Sequence, residues 1–331
     1  MTQCQRIQMA RKAGENFELA DFKLTDFELP ELERGQVLCK AAYISLDPYL
    51  AQMMQSWQGP QRDWSQGIIV GRMVGEIIAS KDESLQVGDW VTGDSRWQDY
   101  ELCKAKHLQK IHVDEKTPAS AYLGVLGSSG LTAWIGLRRI IDIKAGETLT
   151  ISSAAGTVGA VAGQLAKITG AKVIGIAGGS DKCNEVVNTL GFDACIDHQN
   201  HDIDAQLASL APEGIHAHYE NVGAKTLDPV LNHMVDLGRI GLCGLIAHYL
   251  NDEAISLKNF RKILTSGLRL QGFRIYDHFD AAKQAQQELR DGLMSGKISL
   301  RETLTEGLEN APAAYIGMLN SSGSGKHLLK L

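Results

Sequence analysis

The chain has 331 residues and a formal net charge of -6, with 44% hydrophobic and 22% charged residues. This length predicts about two domains, and the composition is that of a globular protein, which excludes disordered and fibrous classes. The acidic balance argues against a nucleic-acid partner. The uncharged stretch 117–137 is too polar and too rich in glycine for a membrane span. Six scattered cysteines without a CxxC pair, and no apolar signal segment, predict reduced thiols in a cytoplasmic protein.

The first third of the chain has β character. Residues 37–42 and 68–80 are rich in β-branched or other apolar side chains, and 86–91 has the composition of a tight turn between strands. Short strands with long connections predict a small barrel or sandwich rather than alternating βα units.

After about residue 120, short apolar strands alternate with helices. The predicted strands are 148–152, 172–177, 194–196, 216–220 and 239–243, and the helices between them are 157–169, 181–190 and 227–234. This alternation predicts right-handed βαβ units and a parallel sheet. A long helix over 280–295 follows, and a strand, helix and strand over 304–331 are expected to rejoin the first domain.

A glycine loop, Ala154–Gly159, joins the first of these strands to its helix in an A-x-G-x-x-G pattern. Gly156 lets the backbone approach a pyrophosphate, Gly159 lets helix and strand pack closely, and the helix N-terminus favours an anion. The pattern predicts a dinucleotide site. The alternative is a tight contact between helix and sheet in an α/β fold that binds no nucleotide.

The end of the second strand indicates which dinucleotide is bound. An NAD site usually has an acid there, but this strand runs into Gly178-Gly179-Ser180. Lys182 and His198 can both face a 2′-phosphate. Asp181 argues the other way, although an acid at a helix N-terminus also complements the helix dipole. We therefore predict NADPH.

Six stretches carry signatures of a known family, in order along nearly the whole chain. They are residues 43–49, 130–134, 154–159, 220–223, 243–249 and 306–314. The chain thereby resembles the zinc-independent medium-chain reductases, which include prostaglandin and leukotriene-type reductases and bacterial curcumin reductases. The resemblance implies an α/β fold in which a Rossmann domain, a doubly wound parallel sheet over 123–297, is inserted into a chaperonin-10-like (GroES-like) mostly β domain. That domain spans 1–122 and is completed by 298–331.

The same resemblance implies a homodimer, NADPH as cofactor and reduction of a carbon-carbon double bond conjugated to a carbonyl. It places Gly156, Thr157, Val158 and Gly159 on the pyrophosphate, and Lys182 and His198 near the 2′-phosphate. The residues that the resemblance implies along the ribose and nicotinamide are Asn221, Cys243, Gly244, Leu245, Ile246, Tyr249, Phe273, Arg274 and Ile275.

Hydride addition to an enone leaves negative charge on the carbonyl oxygen, which then needs hydrogen-bond donors. Tyr249 is the first candidate, with a cofactor ribose hydroxyl as second donor, and Tyr49 is the alternative from the first domain. Either tyrosine is otherwise a half-buried aromatic with a satisfied hydroxyl. Zinc dehydrogenases have Cys where Ser45 stands and a Gly-His-Glu motif that this chain lacks, so we predict no metal.

The leading hypothesis is an NADPH-dependent enone and enal reductase. A quinone oxidoreductase of the same fold and an NADPH-binding protein of low turnover stay open. Apolar residues in the segment 53–64 (Met53, Met54, Trp57 and Trp64) indicate a small hydrophobic substrate, or simple packing.

Overall fold

The computed structural model describes residues 4–14, 16–56, 66–250 and 254–331. The chain divides into two compact units, one running to Leu123 and resuming at Glu302–Leu331, the other comprising Gly124–Arg301. The second unit is thus inserted into the first, and the predicted fold class is confirmed. Along the described residues, no helix is both long and apolar enough to cross a membrane.

The elements are numbered in chain order. The strands are β1 Cys4–Met9, β2 Phe22–Phe27, β3 Gln36–Ser45, β4 Val70–Ser80, β5 Trp90–Arg96, β6 Tyr100–Lys104, β7 Leu108–Lys110, β8 Thr148–Ser152, β9 Lys172–Ala177, β10 Ala194–Asp197, β11 Ile215–Glu220, β12 Met234–Leu242, β13 Arg269–Gly272, β14 Glu302–Glu306 and β15 Lys326–Lys330. The helices are α1 Leu50–Ser56, α2 Ser128–Ile135, α3 Thr157–Thr169, α4 Ser180–Asn188, α5 Ile203–Leu210, α6 Ala224–His233, α7 Arg261–Thr265, α8 Ala282–Met294 and α9 Ala311–Leu319.

The first unit is mostly β. Its larger sheet runs β14-β15-β3-β4-β5-β7, with β6 also paired to β3. The C-terminal strand β15 lies antiparallel to β3, with Leu329 opposite Ile44. Beside the sheet, the ring of Trp97 stacks on Phe22 and meets Tyr315 of α9 edge-on. The last residues of the chain therefore supply both a strand and a core side chain to the first unit.

The second unit has a parallel sheet in the order β10-β9-β8-β11-β12-β13. The connections reverse direction between β8 and β11, as in doubly wound folds, and ligands of such folds bind beyond the carboxyl ends of the strands at this reversal. Strand β12 begins five residues earlier than the pattern predicts, at 234 rather than 239. An irregular pairing and a positive φ of 59° at Leu237 interrupt the strand. The alternation of buried and exposed side chains is broken there, so the sequence pattern does not show where the strand begins.

Glycines set the position of α3 against the sheet. A Cβ on Gly163 would lie 1.8 Å from the ring of Phe192, so only glycine lets that ring reach the helix backbone. The helix ends at Gly170, whose φ of 89° is the left-handed conformation of a helix C-cap. These contacts fix where the N-terminus of α3 points.

Candidate active site

The loop between β8 and α3 fits the pyrophosphate that the sequence predicts there. A Cβ on Gly159 would lie 2.3 Å from the carbonyl oxygen of Ser153, and one on Gly156 would lie 2.7 Å from Ser153 Oγ. Thr157 and Val158 are partly exposed in the first turn of the helix. Because a first turn presents backbone N–H groups at the positive end of the helix dipole, the loop suits an anion.

Basic side chains converge near the end of β9, as the choice of NADPH requires. Burial lowers the pKa of His198, and the positive charges of Lys225 and Lys182 lower it further. The His198 Nδ1 atom is buried without a protein partner, and its backbone N–H donates to the carbonyl of Ala177 at 3.0 Å. A neutral imidazole near the positive charges of Lys182 and Lys225 suits a 2′-phosphate, because a phosphate accepts hydrogen bonds and attracts positive charge.

Lys225 is a residue that the sequence-based set of candidates omits. It lies in the first turn of α6, directly after the stretch 220–223. A basic residue in the first turn of a helix is unfavourable to the helix dipole, and this position is the sequence signal that could have identified it. Burial also lowers the pKa of Lys182, which lies in the first turn of α4 with the exposed Asp181.

Asp197, at the end of β10, is a second omitted residue. Its carboxylate accepts the backbone N–H of Gly179 at 2.7 Å, the N–H of Gln199 at 3.0 Å and the Asn200 amide at 2.7 Å. These donors, the Gly179 N–H foremost, lower the pKa of Asp197. The acid thus shapes the glycine turn after β9. Because the turn occupies its oxygens, it is not placed to select NADH.

The carboxyl ends of β8 and β11 are tied together at the sheet reversal. The backbone N–H of Asn221 donates to Ser152 Oγ, and its side-chain amide donates to the Ser152 carbonyl, both at 2.7 Å. Ser152 Oγ in turn donates to the Glu220 carboxylate at 2.7 Å. The predicted cofactor residue Asn221 is therefore fixed beside the strand that leads into the glycine loop.

Glu220 is a fully buried carboxylate that organises this junction. His218 Nε2 lies 2.7 Å from it, and the backbone N–H groups of Val222 and Gly223 donate to it. Burial pushes the pKa of Glu220 upward, but hydrogen bonding to His218 and the histidine charge hold it below its usual value. An ionised carboxylate of this kind stabilises the turn that follows β11.

The loop 243–249 is hydrogen-bonded to the turn after β11. The N–H groups of Cys243 and Gly244 donate to the Glu220 carbonyl at 2.9 and 3.2 Å, and the Ile246 N–H donates to the Asn221 carbonyl at 3.1 Å. The structure therefore brings the predicted residues Asn221, Cys243, Gly244, Leu245, Ile246 and Tyr249 together at the reversal.

Tyr249 is held over this loop. A Cβ on Gly244 would lie 3.0 Å from Tyr249 Oη and 3.3 Å from the Asn221 carbonyl, so glycine makes room for the hydroxyl. Burial raises the pKa of Tyr249, while a backbone hydrogen bond with Leu245 acts in the opposite sense. The hydroxyl stays protonated near neutral pH and keeps its ability to donate.

The segment 273–275 follows β13. The ring of Phe273 meets that of Tyr219 edge-on, with centroids 6.3 Å apart. The guanidinium of Arg274 makes a two-pronged pair with Asp277 at 2.9 and 3.0 Å on the surface, and Ile275 begins a short 3-10 helix. Phe273 thus packs against β11, near the strand ends at which the other predicted cofactor residues lie. Arg274 instead forms an ion pair on the surface.

In the first unit, Tyr49 precedes α1 and is 47% exposed. Met54 is fully buried and contributes to the core, so it packs rather than lines a surface, and Met53 is partly exposed. Trp57 and Trp64 lie outside the described residues. The prediction of an apolar lining therefore stays a prediction.

Ser45 stands in a buried cluster that does not suit a metal. Its hydroxyl donates to the carboxylate of Asp47, and the ammonium of Lys326 donates to the same carboxylate. Lys326 is 2% exposed, so the Asp47 carboxylate beside Ser45 is already engaged by a buried ammonium instead of being open to a cation. Among the described residues, no group of three or more His, Cys, Asp or Glu side chains has a metal-binding arrangement.

We expect activity to survive chelation. Serine does not replace a thiolate on zinc, and the Lys326 ammonium already engages the neighbouring Asp47 carboxylate. Prolonged dialysis against a strong chelator should leave turnover and melting temperature unchanged. A loss of activity that zinc alone restores would contradict this expectation.

Two family profiles match the chain. One, described as the N-terminal domain of oxidoreductase, covers residues 5–111, and one, described as zinc-binding dehydrogenase, covers residues 157–291. With the inserted Rossmann unit and the glycine loop at its sheet reversal, these matches define the class as a medium-chain oxidoreductase.

Curated relatives narrow the class to a family. NADPH-dependent curcumin reductase of Escherichia coli is 38% identical over 94% of this chain and 92% of its own. Prostaglandin reductase 1 of Bos taurus is 34% identical over 94% of each, and 2-alkenal reductase (NADP(+)-dependent) of Nicotiana tabacum is 34% identical over 89% and 87%. The protein belongs to this family of medium-chain reductases and is an oxidoreductase.

Two solved structures have the same fold as this chain. CurA from Vibrio vulnificus in complex with NADPH has a TM-score of 0.90 and 34% identity, covering 98% of each chain. Escherichia coli quinone oxidoreductase complexed with NADPH has a TM-score of 0.79 at 19% identity, a likeness that shows the fold alone.

Proposed function

We propose that the protein uses NADPH to reduce the carbon-carbon double bond of α,β-unsaturated ketones and aldehydes. The observation that carries the proposal is that the Tyr249 loop and the strand leading into the glycine loop are tied to one junction, through Ser152, Glu220 and Asn221. The relatives named as curcumin, alkenal and prostaglandin reductases support the same chemistry.

Bound NADPH supplies a hydride. The first-turn amides of α3 would hold the pyrophosphate of the cofactor, and Lys182, His198 and Lys225 would face its 2′-phosphate. Tyr249 donates a hydrogen bond to the substrate oxygen, which stabilises the negative charge that develops there without a metal. Its raised pKa suits a neutral donor that keeps its own proton.

A panel of enals, enones and quinones, each assayed with NADPH and with NADH, tests the proposal. Turnover should be highest on enones or enals with NADPH, with the double bond saturated and the carbonyl intact in the product. Turnover on quinones alone would instead support a quinone oxidoreductase. Tight NADPH binding without turnover on any member would support a binding protein.

The basic cluster of Lys182, His198 and Lys225 leads to a prediction about cofactor choice. NADPH should bind at least about tenfold more tightly than NADH, a difference of roughly 1.4 kcal/mol. Lys182→Ala should erase much of that preference and leave NADH affinity nearly unchanged, because NADH has no 2′-phosphate. Lys225→Ala should act in the same direction. Fluorescence titration of both cofactors measures the effect.

Lys144→Ala is the matched control, because Lys144 pairs with Asp142 away from the cluster. It should change neither affinity. Equal affinity of the wild-type protein for both cofactors would contradict the choice of NADPH. A parallel loss of NADH binding in Lys182→Ala would mean that Lys182 supports the fold of the turn.

We also propose a homodimer in the cytoplasm. All six cysteines are free thiols, which suits a reducing compartment. In the described sheet, β13 is an edge strand with every residue exposed, and Leu237, Phe260 and Leu264 are 75%, 62% and 83% exposed. An edge strand beside exposed apolar side chains is suited to pair with a second copy.

Light scattering should therefore give twice the chain mass of 36.0 kDa at micromolar concentration. Leu264→Glu should shift the population toward the monomer, because it places a charge on the apolar surface that we propose forms the interface. The monomer already exposes this side chain, so the substitution should not disturb its fold. A mass near 36.0 kDa for the wild-type protein would contradict the dimer.

A further inference from the structure

Two thiols lie in contact beside the basic cluster. Cys195 Sγ on β10 donates to Cys183 Sγ in the first half of α4, at a distance of 2.9 Å. A disulfide needs about 2.05 Å between the sulfurs, so a shift of about 0.9 Å separates the two states. Both cysteines are free and partly exposed, which leaves them open to a small oxidant.

The two sulfurs differ in reactivity. Burial raises the pKa of both thiols, which lowers their thiolate fraction and makes them slow to react at neutral pH. For Cys183, the hydrogen bond that Cys195 donates lowers the pKa, in opposition to burial. Cys183 also lies near the N-terminal end of α4, whose dipole favours a thiolate. Cys183 is therefore the sulfur that is oxidised first, and Cys195 is placed to resolve it.

We propose that Cys183 and Cys195 form a redox-modification site, which a peroxide converts to a disulfide, and that this disulfide weakens NADPH binding. In the first step, the Cys183 thiolate attacks the peroxide O–O bond, giving a sulfenic acid and, with the released proton, one water. In the second step, the Cys195 sulfur displaces the hydroxyl as a second water and the S–S bond forms. The two sulfurs lose two electrons, and the peroxide gains them.

The effect on the cofactor rests on the proposed function and follows from the position of the pair. Cys183 directly follows Lys182, and Cys195 lies two residues before Asp197, which holds the Gly179 N–H at 2.7 Å. The disulfide joins the start of α4 to β10 covalently, and the part of the ~0.9 Å that side-chain rotation does not supply draws α4 toward β10. Lys182 and the glycine turn then leave the positions in which they face a 2′-phosphate.

The full-length protein, reduced and then treated with hydrogen peroxide, is the test. After alkylation in denaturant, the intact mass should show two of six thiols protected, and peptide mapping should find Cys183 joined to Cys195. Oxidation should raise the Kd for NADPH about tenfold, change the Kd for NADH less, and be reversed by dithiothreitol. The mapping does not depend on enzyme activity, so it separates a failure of this site from a failure of the proposed function.

Variants assign the roles. Cys195→Ser should form no disulfide and should accumulate a sulfenic acid on Cys183 that dimedone traps. Cys103→Ser, at a partly exposed cysteine of β6, is the matched control and should behave as the wild type. Both variants should bind NADPH normally when reduced. The proposal is overturned if both thiols stay alkylatable after peroxide, if the link maps to other cysteines, or if the joined protein binds NADPH unchanged.

Discussion

Replacing Tyr249 by phenylalanine is expected to lower kcat for enones by ~10–100-fold, a rise of about 1.4–2.7 kcal/mol in the activation barrier. The change removes one hydroxyl and little volume. The loss stays below that of an obligatory oxyanion donor, because a ribose hydroxyl of the cofactor and bound water substitute in part. The loop keeps its position, since backbone hydrogen bonds to Glu220 and Asn221 hold it.

The kinetic pattern distinguishes two roles for this hydroxyl. A donor that acts on charge developed in the transition state lowers kcat and kcat/KM together and leaves NADPH affinity unchanged. A raised KM at unchanged kcat would instead mean that Tyr249 positions the substrate. Quinones should be less affected, if they accept hydride without that donor.

Steady-state assays with deuterated NADPH establish whether hydride transfer limits the rate, and Tyr100→Phe, on β6, is the matched control. Full kcat of Tyr249→Phe on every enone, with hydride transfer shown to be limiting, would rule out Tyr249 as the donor. Tyr49, which is 47% exposed in the first unit, then becomes the candidate.

Gly159→Ala is expected to raise the Kd for NADPH at least about a hundredfold, or roughly 2.7 kcal/mol. The added Cβ would lie 2.3 Å from the Ser153 carbonyl oxygen and 3.1 Å from Ala154 Cα, both backbone atoms that have no rotamer to change. The N-terminus of α3 must therefore move away from β8. The amides that we propose hold the pyrophosphate move with it.

Gly156→Ala should be milder, because its Cβ would first meet Ser153 Oγ, a side-chain atom that can rotate. Gly317→Ala, in α9, is the control: its Cβ would lie 3.4 Å from Ser322 Oγ, an ordinary contact, and a helix gains stability from alanine. Circular dichroism and melting temperature show whether Gly159→Ala still folds. A folded variant with unchanged NADPH affinity would mean that this loop does not bind the pyrophosphate.

Local sequence patterns were sufficient for much of the second unit. The predicted strands 148–152 and 172–177 and the helix 157–169 have those bounds in the structure. These elements are buried or amphipathic over their whole length, and Gly178 and Gly170 follow the second strand and the helix, so periodicity and capping mark their ends. Strand β12 was predicted too short, because the irregular pairing near Leu237 breaks its pattern.

The sequence by itself also determined the glycine loop, the missing acid after β9 and the resemblance that implies the Tyr249 loop. Only the tertiary structure decided which side chains support them. Asp197 serves a turn that lies 18 residues earlier, Asn221 binds Ser152 across 69 residues, and Lys326 meets Asp47 across 279. The physical reason is that a hydrogen bond or charge pair acts over a few ångströms, and strand order determines which distant residues come that close. Periodicity along the chain reports which face of an element is buried, but not which strand lies beside it.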